Sequence, residues 1–304
     1  MSLAHDTFSG FSINRVYALV LRYTYLLRSS WPRLLELVYW PAVQMLTWGF
    51  IQVYIANTSG KAAFAAGTLI GAMLLWDVLF RSQLGFSISF LEEIWARNMA
   101  NLLMSPMRPL EFVAALIIMS LIRLAIGLGP VSIMAILFFG FNYFAMGLGA
   151  VLFFINLVLT GWAVGLAVSG IVLRHGLGAE SLAWTVMFIM LPLACVYYPV
   201  SVLPDFLQPL AWCLPPTYVF EGLRALLIDH TLRSDLMIMA FMIAEWCNAV
   251  GCYTLSSVYR HLIGEYIVHT PGSFHPSPLE NIGVVFPQII ACTEEPSTHA
   301  TIAT

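Results

Sequence analysis

Residues 148–173, LGAVLFFINLVLTGWAVGLAVSGIVL, decide the fold of this chain, because they are apolar on every face of a helix. Residues 110–128, LEFVAALIIMSLIRLAIGL, have the same character. Membrane-spanning barrel strands would instead alternate apolar and polar side chains over about ten residues. Lipid offers backbone groups no hydrogen-bond partner, so these stretches must be helices if they cross a bilayer. The sequence therefore predicts an all-α membrane protein.

The composition of the whole chain agrees with this prediction. Hydrophobic residues make up 60% of the 304 residues and charged residues only 10%, against roughly 25% charged in soluble domains. The net charge is −3, and the thirteen basic residues are scattered along the chain rather than gathered in one patch. Nucleic acid is therefore excluded as a partner, and the lipid bilayer is the expected surroundings.

Hydropathy predicts six transmembrane helices, since a span needs about 20 residues. We place them at residues 37–56, 62–86, 110–139, 148–173, 181–196 and 236–262. The arginines outside the spans lie mostly on the side of both termini, which predicts that the N- and C-termini are cytoplasmic. Residues 1–15 lack the basic-then-apolar order of a cleaved signal peptide, so the first span should stay as the membrane anchor.

These spans divide the chain into three parts. Residues 1–36 form a cytoplasmic N-terminus, residues 37–265 the six-span domain, and residues 266–304 a polar, flexible cytoplasmic tail. In the N-terminus, residues 12–30 mix Arg, Tyr and Leu without being apolar enough to span. Arg15 and Arg22 are seven residues apart and share one helix face, which favours an interfacial helix with its arginines toward anionic lipid. An ordinary cytosolic helix is the alternative.

The connection after the second span, FLEEIWARNMANLLMSPMRP at residues 90–109, is more polar than its surroundings. Glu93 and Arg97 are four residues apart, and Leu91, Ile94, Trp95 and Leu102 would share one face of a helix that Ser105 ends. This pattern predicts a short amphipathic helix on the cytoplasmic side, on which a soluble partner could push. The alternative is a solvated connector with one ion pair worth about 0.3–0.5 kcal/mol.

A second unusual segment follows the fifth span. Six prolines lie between residues 192 and 216 in apolar and aromatic surroundings, YYPVSVLPDFLQPLAWCLPPTYVFEGLRALL at residues 197–227. Prolines this dense forbid one straight helix. We expect two short helices that re-enter the membrane from the outer side, between spans 5 and 6. Glu221 and Arg224 are three residues apart and should form a local pair.

The chain carries no motif of a known catalytic centre. Lys61 is its only lysine, and Ile55 stands where the first glycine of a nucleotide-binding loop should be. No H-E-x-x-H, G-x-S-x-G or C-x-x-C occurs, so we expect no metal site, no cofactor and no enzyme activity in this chain. A disulfide between Cys195 and Cys213 stays open, since it would need an oxidising compartment.

Three ionisable residues lie within predicted spans. Asp77 and Arg81 are one turn apart in the second span, and Arg123 lies midway along the third. A charge at this depth costs at least about 2.5–3.5 kcal/mol, so partners are expected. A pair that fixes helix packing, a group that lines a transport path and a proton relay are all compatible with the sequence.

Three stretches resemble the permease subunits of type-2 ATP-binding-cassette exporters, a family that includes O-antigen, capsule and nodulation-factor permeases and drug exporters. They are residues 92–98 with 103–106 and Glu111, residues 198–204, and residues 214–224. The resemblance covers about residues 12–265. The tail after residue 268 departs from the family's usual short basic ending.

The resemblance implies a role for each polar segment. The family's coupling helix, which docks on the ATPase, would comprise Glu92, Glu93, Ile94, Trp95, Arg97, Asn98, Leu102 and Ser105. Its interface helix would carry Arg15, Arg22, Tyr23 and Arg28. Its outer hairpin at the exit would comprise Tyr197, Tyr198, Pro199, Pro204, Trp212, Pro215, Tyr218, Glu221 and Arg224.

The resemblance also implies partners and a location. Two copies of a separate ATPase would bind the ATP and Mg²⁺, a second permease subunit would complete a homodimer, and the site would be the bacterial inner membrane. The expected cargo is amphipathic. If the hairpin aromatics stack on sugar rings, it is a lipid-linked saccharide, a polysaccharide or a lipo-oligosaccharide. They could equally form an interfacial belt. A hydrophobic drug is the rival cargo; a proton-coupled secondary transporter and a lipid-modifying enzyme are rival functions.

Overall fold

The computed structural model describes residues 11–59, 67–105, 107–229 and 231–268. Over these residues the chain forms helices α1 (Ile13–Ser29), α2 (Trp31–Ser59), α3 (Thr68–Trp95), α4 (Met99–Met104), α5 (Pro109–Phe139), α6 (Leu148–His175), α7 (Leu182–Leu193), α8 (Gln208–Trp212), α9 (Pro215–Ile228) and α10 (Ser234–Val268). Short 3₁₀ turns occur at Tyr143–Met146, Leu177–Ala179 and Val200–Val202. This part of the chain contains no strand, so the all-α prediction is confirmed.

Among the described residues, five helices are long and apolar enough to cross a membrane: α2 (over Trp31–Thr58), α3, α5, α6 and α10 (over Ser234–Leu255). The fifth predicted span, residues 181–196, is instead represented by α7, which has 12 residues. At 1.5 Å per residue α7 is about 18 Å long, well short of the ~30 Å hydrocarbon core. The structure thus supports five of the six predicted spans by length and composition.

Helix ends differ from the predicted ones in several places. α2 begins at Trp31, six residues before the predicted start of the first span at residue 37. α3 runs on to Trp95, nine residues beyond the predicted end of the second span at residue 86. α10 reaches Val268. By contrast, α5 ends at Phe139 as expected, because Gly140 adopts a left-handed conformation (φ 66°) and its N–H bonds to the carbonyl of Ile136. The predicted tail at residues 269–304 and part of the turn at 57–61 lie outside the described residues.

Helix α3 lies at the centre of the bundle, in contact with α2, α5 and α6. In the most apolar stretch of α3, 94% of the residues are buried, whereas in that of α2 only 17% are. Small residues allow the close approach on the α5 and α6 sides. A Cβ added at Gly85 would meet the Ser120 Cα at 3.0 Å, and one at Gly161 would collide with the Ser82 side chain. α6 also packs along α10.

The predicted pair of short helices between residues 197 and 227 is present as α8 and α9. Proline explains their start and separation. Pro209 lies in the first turn of α8, and Pro215 and Pro216 open α9, where a missing N–H costs nothing. That this hairpin re-enters the membrane stays a prediction.

Candidate functional site

A cavity of about 720 Å³ lies between α2, α3 and α7 and is lined on one side by Arg123 of α5. Its α3 wall follows one helix face, with lining residues Trp76, Asp77, Phe80, Arg81, Leu84, Gly85, Ile88, Glu92 and Trp95. The nineteen steps from Trp76 to Trp95 cover about 28 Å of helix, close to the ~30 Å hydrocarbon thickness. We call this cavity the groove.

The other walls also present single helix faces. On α2 the lining residues are Arg33, Glu36, Leu37, Trp40, Pro41, Gln44 and Trp48, which recur every three or four positions. On α7 they are Trp184, Phe188 and Leu191. Five of the nine tryptophans of the chain therefore line the groove: Trp40, Trp48, Trp76, Trp95 and Trp184.

Asp77 and Arg81 form an ion pair on the α3 wall. The Arg81 Nε donates to Asp77 Oδ2 at 2.7 Å, and the two side chains are only 9% and 4% exposed. Gly127 of α5 makes room for the guanidinium, because a Cβ there would collide with it. The pair is thus at once a packing element and part of the groove lining.

Arg123, the third intramembrane charge, is paired with Glu92. Its Nη2 donates to both Glu92 carboxylate oxygens at 3.0 Å, while its buried Nε has no acceptor. Arg33 of α2 donates to Glu92 Oε1, also at 3.0 Å. One carboxylate at the end of α3 therefore joins α2, α3 and α5.

The neighbouring Glu93 points to a different side and is fully buried. It accepts hydrogen bonds from Arg22 of α1 at 2.8 Å and from the Asn98 amide at 2.7 Å. Arg97, four residues after Glu93, lies past the end of α3, in a left-handed conformation (φ 53°) that breaks the helix.

Arg15 and Arg22 of α1 share one side, as their spacing predicts, but they face the protein carboxylates Glu111 and Glu93 instead of lipid. Arg15 donates to Glu111 at 2.6 Å, and the N–H groups of Ser12 and Arg108 bond to the same carboxylate. α1 instead turns an apolar stripe outward, formed by Ile13, Tyr17, Leu21 and Tyr25. The orientation of arginines toward lipid is therefore corrected.

Tyr23 and Arg28, the other residues assigned to the interfacial helix, differ in burial. Tyr23 is fully buried and Arg28 is exposed. Burial, together with the negative charge of Glu93 nearby, raises the pKa of the Tyr23 phenol, which therefore stays neutral. Tyr23 contributes to the core beneath α1 rather than to a lipid-facing surface.

The predicted coupling helix is divided by the structure. Glu92, Glu93, Ile94 and Trp95 form the last turn of α3, and Leu102 belongs to the separate six-residue helix α4. Ser105 ends α4, with its hydroxyl bonded to the Leu102 carbonyl at 2.7 Å. Trp95 is half exposed, and its Nε1 donates to Glu180 Oε2 at 2.8 Å, which links α3 to the turn between α6 and α7.

The hairpin is held by side chains that bond to backbone. Glu221 accepts the Val200 N–H at 2.8 Å and pairs with Arg224 at 3.2 Å, as its spacing predicts. Arg224 also donates to the carbonyl of Cys195 at 3.0 Å. Cys195 and Cys213 are both free thiols, so they form no disulfide.

The aromatic residues of the hairpin are not gathered at one site. Tyr197 lines the groove and stacks on Trp48 with ring centroids 4.2 Å apart. Trp212 and Tyr218 pack against each other outside the groove lining, and the Tyr198 hydroxyl bonds to the Pro192 carbonyl. Pro199 and Pro204 flank the Val200–Val202 turn, and Pro215 starts α9.

Sequence reasoning missed most of the groove wall. The sequence analysis does not single out Glu36, Trp40, Trp48, Trp76 or Trp184. A tryptophan in an apolar run looks like any lipid-facing side chain. The available signal was the spacing of Arg33, Glu36, Trp40, Gln44 and Trp48 along one face of α2.

Comparison with protein families identifies the family of this chain. A family model described as ABC-2 type transporter matches residues 19–228. That range contains every residue that lines the groove, together with the α3–α4 turn and the hairpin. No protein of the curated set matches the chain at a significant level.

Proposed function

Because the chain belongs to the ABC-2 type transporter family, we propose that it is the permease subunit of an ATP-driven exporter whose cargo moves along the groove. The observation that carries the proposal is the groove itself. It follows α3 for about the thickness of a bilayer, and both ionic pairs at membrane depth line it.

The burial of charge supports a path rather than packing alone. An ionised side chain in a span is costly and ordinarily faces a bundle interior or a water-filled cavity. Asp77, Arg81, Glu92 and Arg123 all line the groove, although α3 has other faces on which a pair could be buried. A polar group that passes along α3 would meet hydrogen-bonding partners at successive depths.

The lining favours an amphipathic cargo over a purely hydrophobic one. Charged pairs would hydrogen-bond a polar head group, while the five tryptophans offer flat faces on which sugar rings stack. A lipid-linked saccharide combines both chemistries, and we propose this class of cargo. Of the hairpin aromatics, Tyr197 lines the groove and would contact this cargo. A hydrophobic drug would leave the head-group partners unused.

The energy would come from a partner. The chain has no nucleotide-binding loop, and the half-exposed Trp95 at the α3–α4 turn is the contact that we assign to a separate ATPase. We propose two copies of that ATPase on a homodimer of this chain, with the α3–α4 turn and both termini in the cytosol of a bacterium. ATP binding would then favour one of two arrangements of the helices.

Purification of the chain with the ATPase encoded beside it, and cross-linking from Trp95→Cys, tests the assignment. The background replaces the five native cysteines by serine. We expect a cross-link to the ATPase from position 95 and none from a matched cysteine at the exposed Tyr253 of α10. Equal cross-linking from both positions, or no complex at all, would overturn the proposed coupling surface.

A further inference from the structure

The α2 wall of the groove is held unevenly along its length. Its second half is anchored: Met45 is fully buried against Ile70 and Met73, and Gln52 accepts the Ile70 N–H at 3.0 Å. Its first half, before Pro41, is mostly exposed. A proline inside a helix removes one backbone hydrogen bond, so Pro41 is a natural bending point between the two halves.

Glu92 binds its two arginines with different strength. The Arg123 side chain is 7% exposed, and separation of this pair would leave a charge buried without compensation. The Arg33 side chain is 52% exposed, and water competes with an ion pair of this kind. Glu92 is therefore held firmly to α5 and only weakly to α2.

We propose that Arg33 is a positioning residue whose ion pair with Glu92 latches the first half of α2, and that its release lets this half tilt at Pro41 and opens the groove sideways. The Glu92–Arg123 pair stays closed during the movement, so no buried charge is stranded. Glu36 follows Arg33 by three residues on the same face and moves with it. The structure shows the Arg33–Glu92 ion pair itself, whereas the use of its release in transport rests on the proposed function.

A distance measurement on the full chain in nanodiscs tests the latch. Spin labels are attached at Leu35→Cys on α2 and Ile171→Cys on α6, both exposed positions, in the chain whose native cysteines are replaced by serine. The distance between the two labels reports the movement of α2. Unlabelled chain is added so that distances between labels on different copies are not measured. In Arg33→Gln the population of the longer distance should rise by up to about fivefold, since an exposed pair contributes up to about that factor. Arg33→Lys should restore the original distribution.

Two further variants make the test specific. Arg28→Gln makes the same charge change five residues earlier and should leave the distances unchanged. Arg33→Gln itself should have the same thermal stability as the unsubstituted chain. Pro41→Ala, combined with Arg33→Gln, should reduce the longer-distance population. An unchanged distribution in Arg33→Gln would overturn the proposal.

Transport separates this inference from the proposed function. In the complex with the ATPase, Arg33→Gln should hydrolyse ATP at the normal rate or faster while it moves less cargo per ATP. If the unsubstituted complex shows no ATP-driven transport, the proposed function is refuted and the distance result is unaffected. Normal cargo per ATP in Arg33→Gln would refute only the role of the latch.

Discussion

At the α3–α4 end of the groove, ion pairs between side chains of different helices join α1, α2, α3 and α5, whereas near Tyr197 the charged side chains of the hairpin bond mainly to backbone groups. Glu92 and Glu93 bind arginines 31, 59 and 71 residues away in sequence. In the hairpin, Glu221 and Arg224 bond to backbone groups of one short segment, Cys195 to Val200. The first end is thus joined through side-chain charges on separate helices, and the second through bonds from two side chains to one backbone segment.

The largest expected effect is at the first end. Glu92→Gln leaves Arg123 buried without its counter-charge, which should lower the free energy of unfolding by about 3–5 kcal/mol. Denaturant unfolding of the purified chain in detergent measures this. Glu92→Gln with Arg123→Met should recover most of the loss, while Glu36→Gln, at an exposed position on the groove, should cost less than about 0.5 kcal/mol. A stable Glu92→Gln single variant would contradict the assigned pair.

The second effect is smaller and confined to the hairpin. Glu221→Ala removes the acceptor of the Val200 N–H and the partner of Arg224, which should cost about 1–3 kcal/mol. Hydrogen exchange should accelerate at Val200 and leave α1 and α4 unchanged. Asp205→Ala, an exposed carboxylate of the same hairpin, is the control with no expected change at Val200. Faster exchange spread over the whole molecule would show that the hairpin is not a separate unit.

How far the sequence predicts these two ends follows from the range of their contacts. The pair of Glu221 with Arg224 is visible in the sequence because its members are three residues apart. The partners of Glu92 and Glu93 are not, because polar residues at a helix end look like a loop until arginines from other helices surround them. The sequence therefore predicts an end of the second span nine residues before the end of α3. It also predicts one helix over residues 92–105, where the structure has the last turn of α3 and the separate helix α4.

The apolar runs of α5 and α6 were predicted nearly to the residue, since composition alone requires them to be helices in lipid. The fifth span was not, because Pro192 and Pro199 lie at the end of its apolar run, and α7 ends at Leu193. The groove could not be predicted, because it depends on which faces of α2, α3 and α7 meet. The spacing of residues indicates which face of a helix is distinctive, but not which helices pack against that face.

The smallest expected effect is at the exposed link beside the first end. Trp95→Phe removes the hydrogen bond from Trp95 to Glu180 and should cost only about 0.5 kcal/mol, because water replaces the lost partner. Glu180→Gln should cost a similar amount. The double variant should lose less than the sum of the two singles, which a double-mutant cycle measures. Fully additive losses would mean that the two side chains do not interact in solution.

The central claim is that this chain provides a path and a separate ATPase provides the energy. The most direct measurement is cargo movement into liposomes, with fluorescent lipid-linked saccharide as the probe, by the chain alone and by its complex with the ATPase. The account predicts vectorial movement only with the complex and ATP, and its loss when a bulky maleimide is attached at Gln44→Cys in the groove. Vectorial movement by the chain alone, under a pH gradient and without any ATPase, would contradict it.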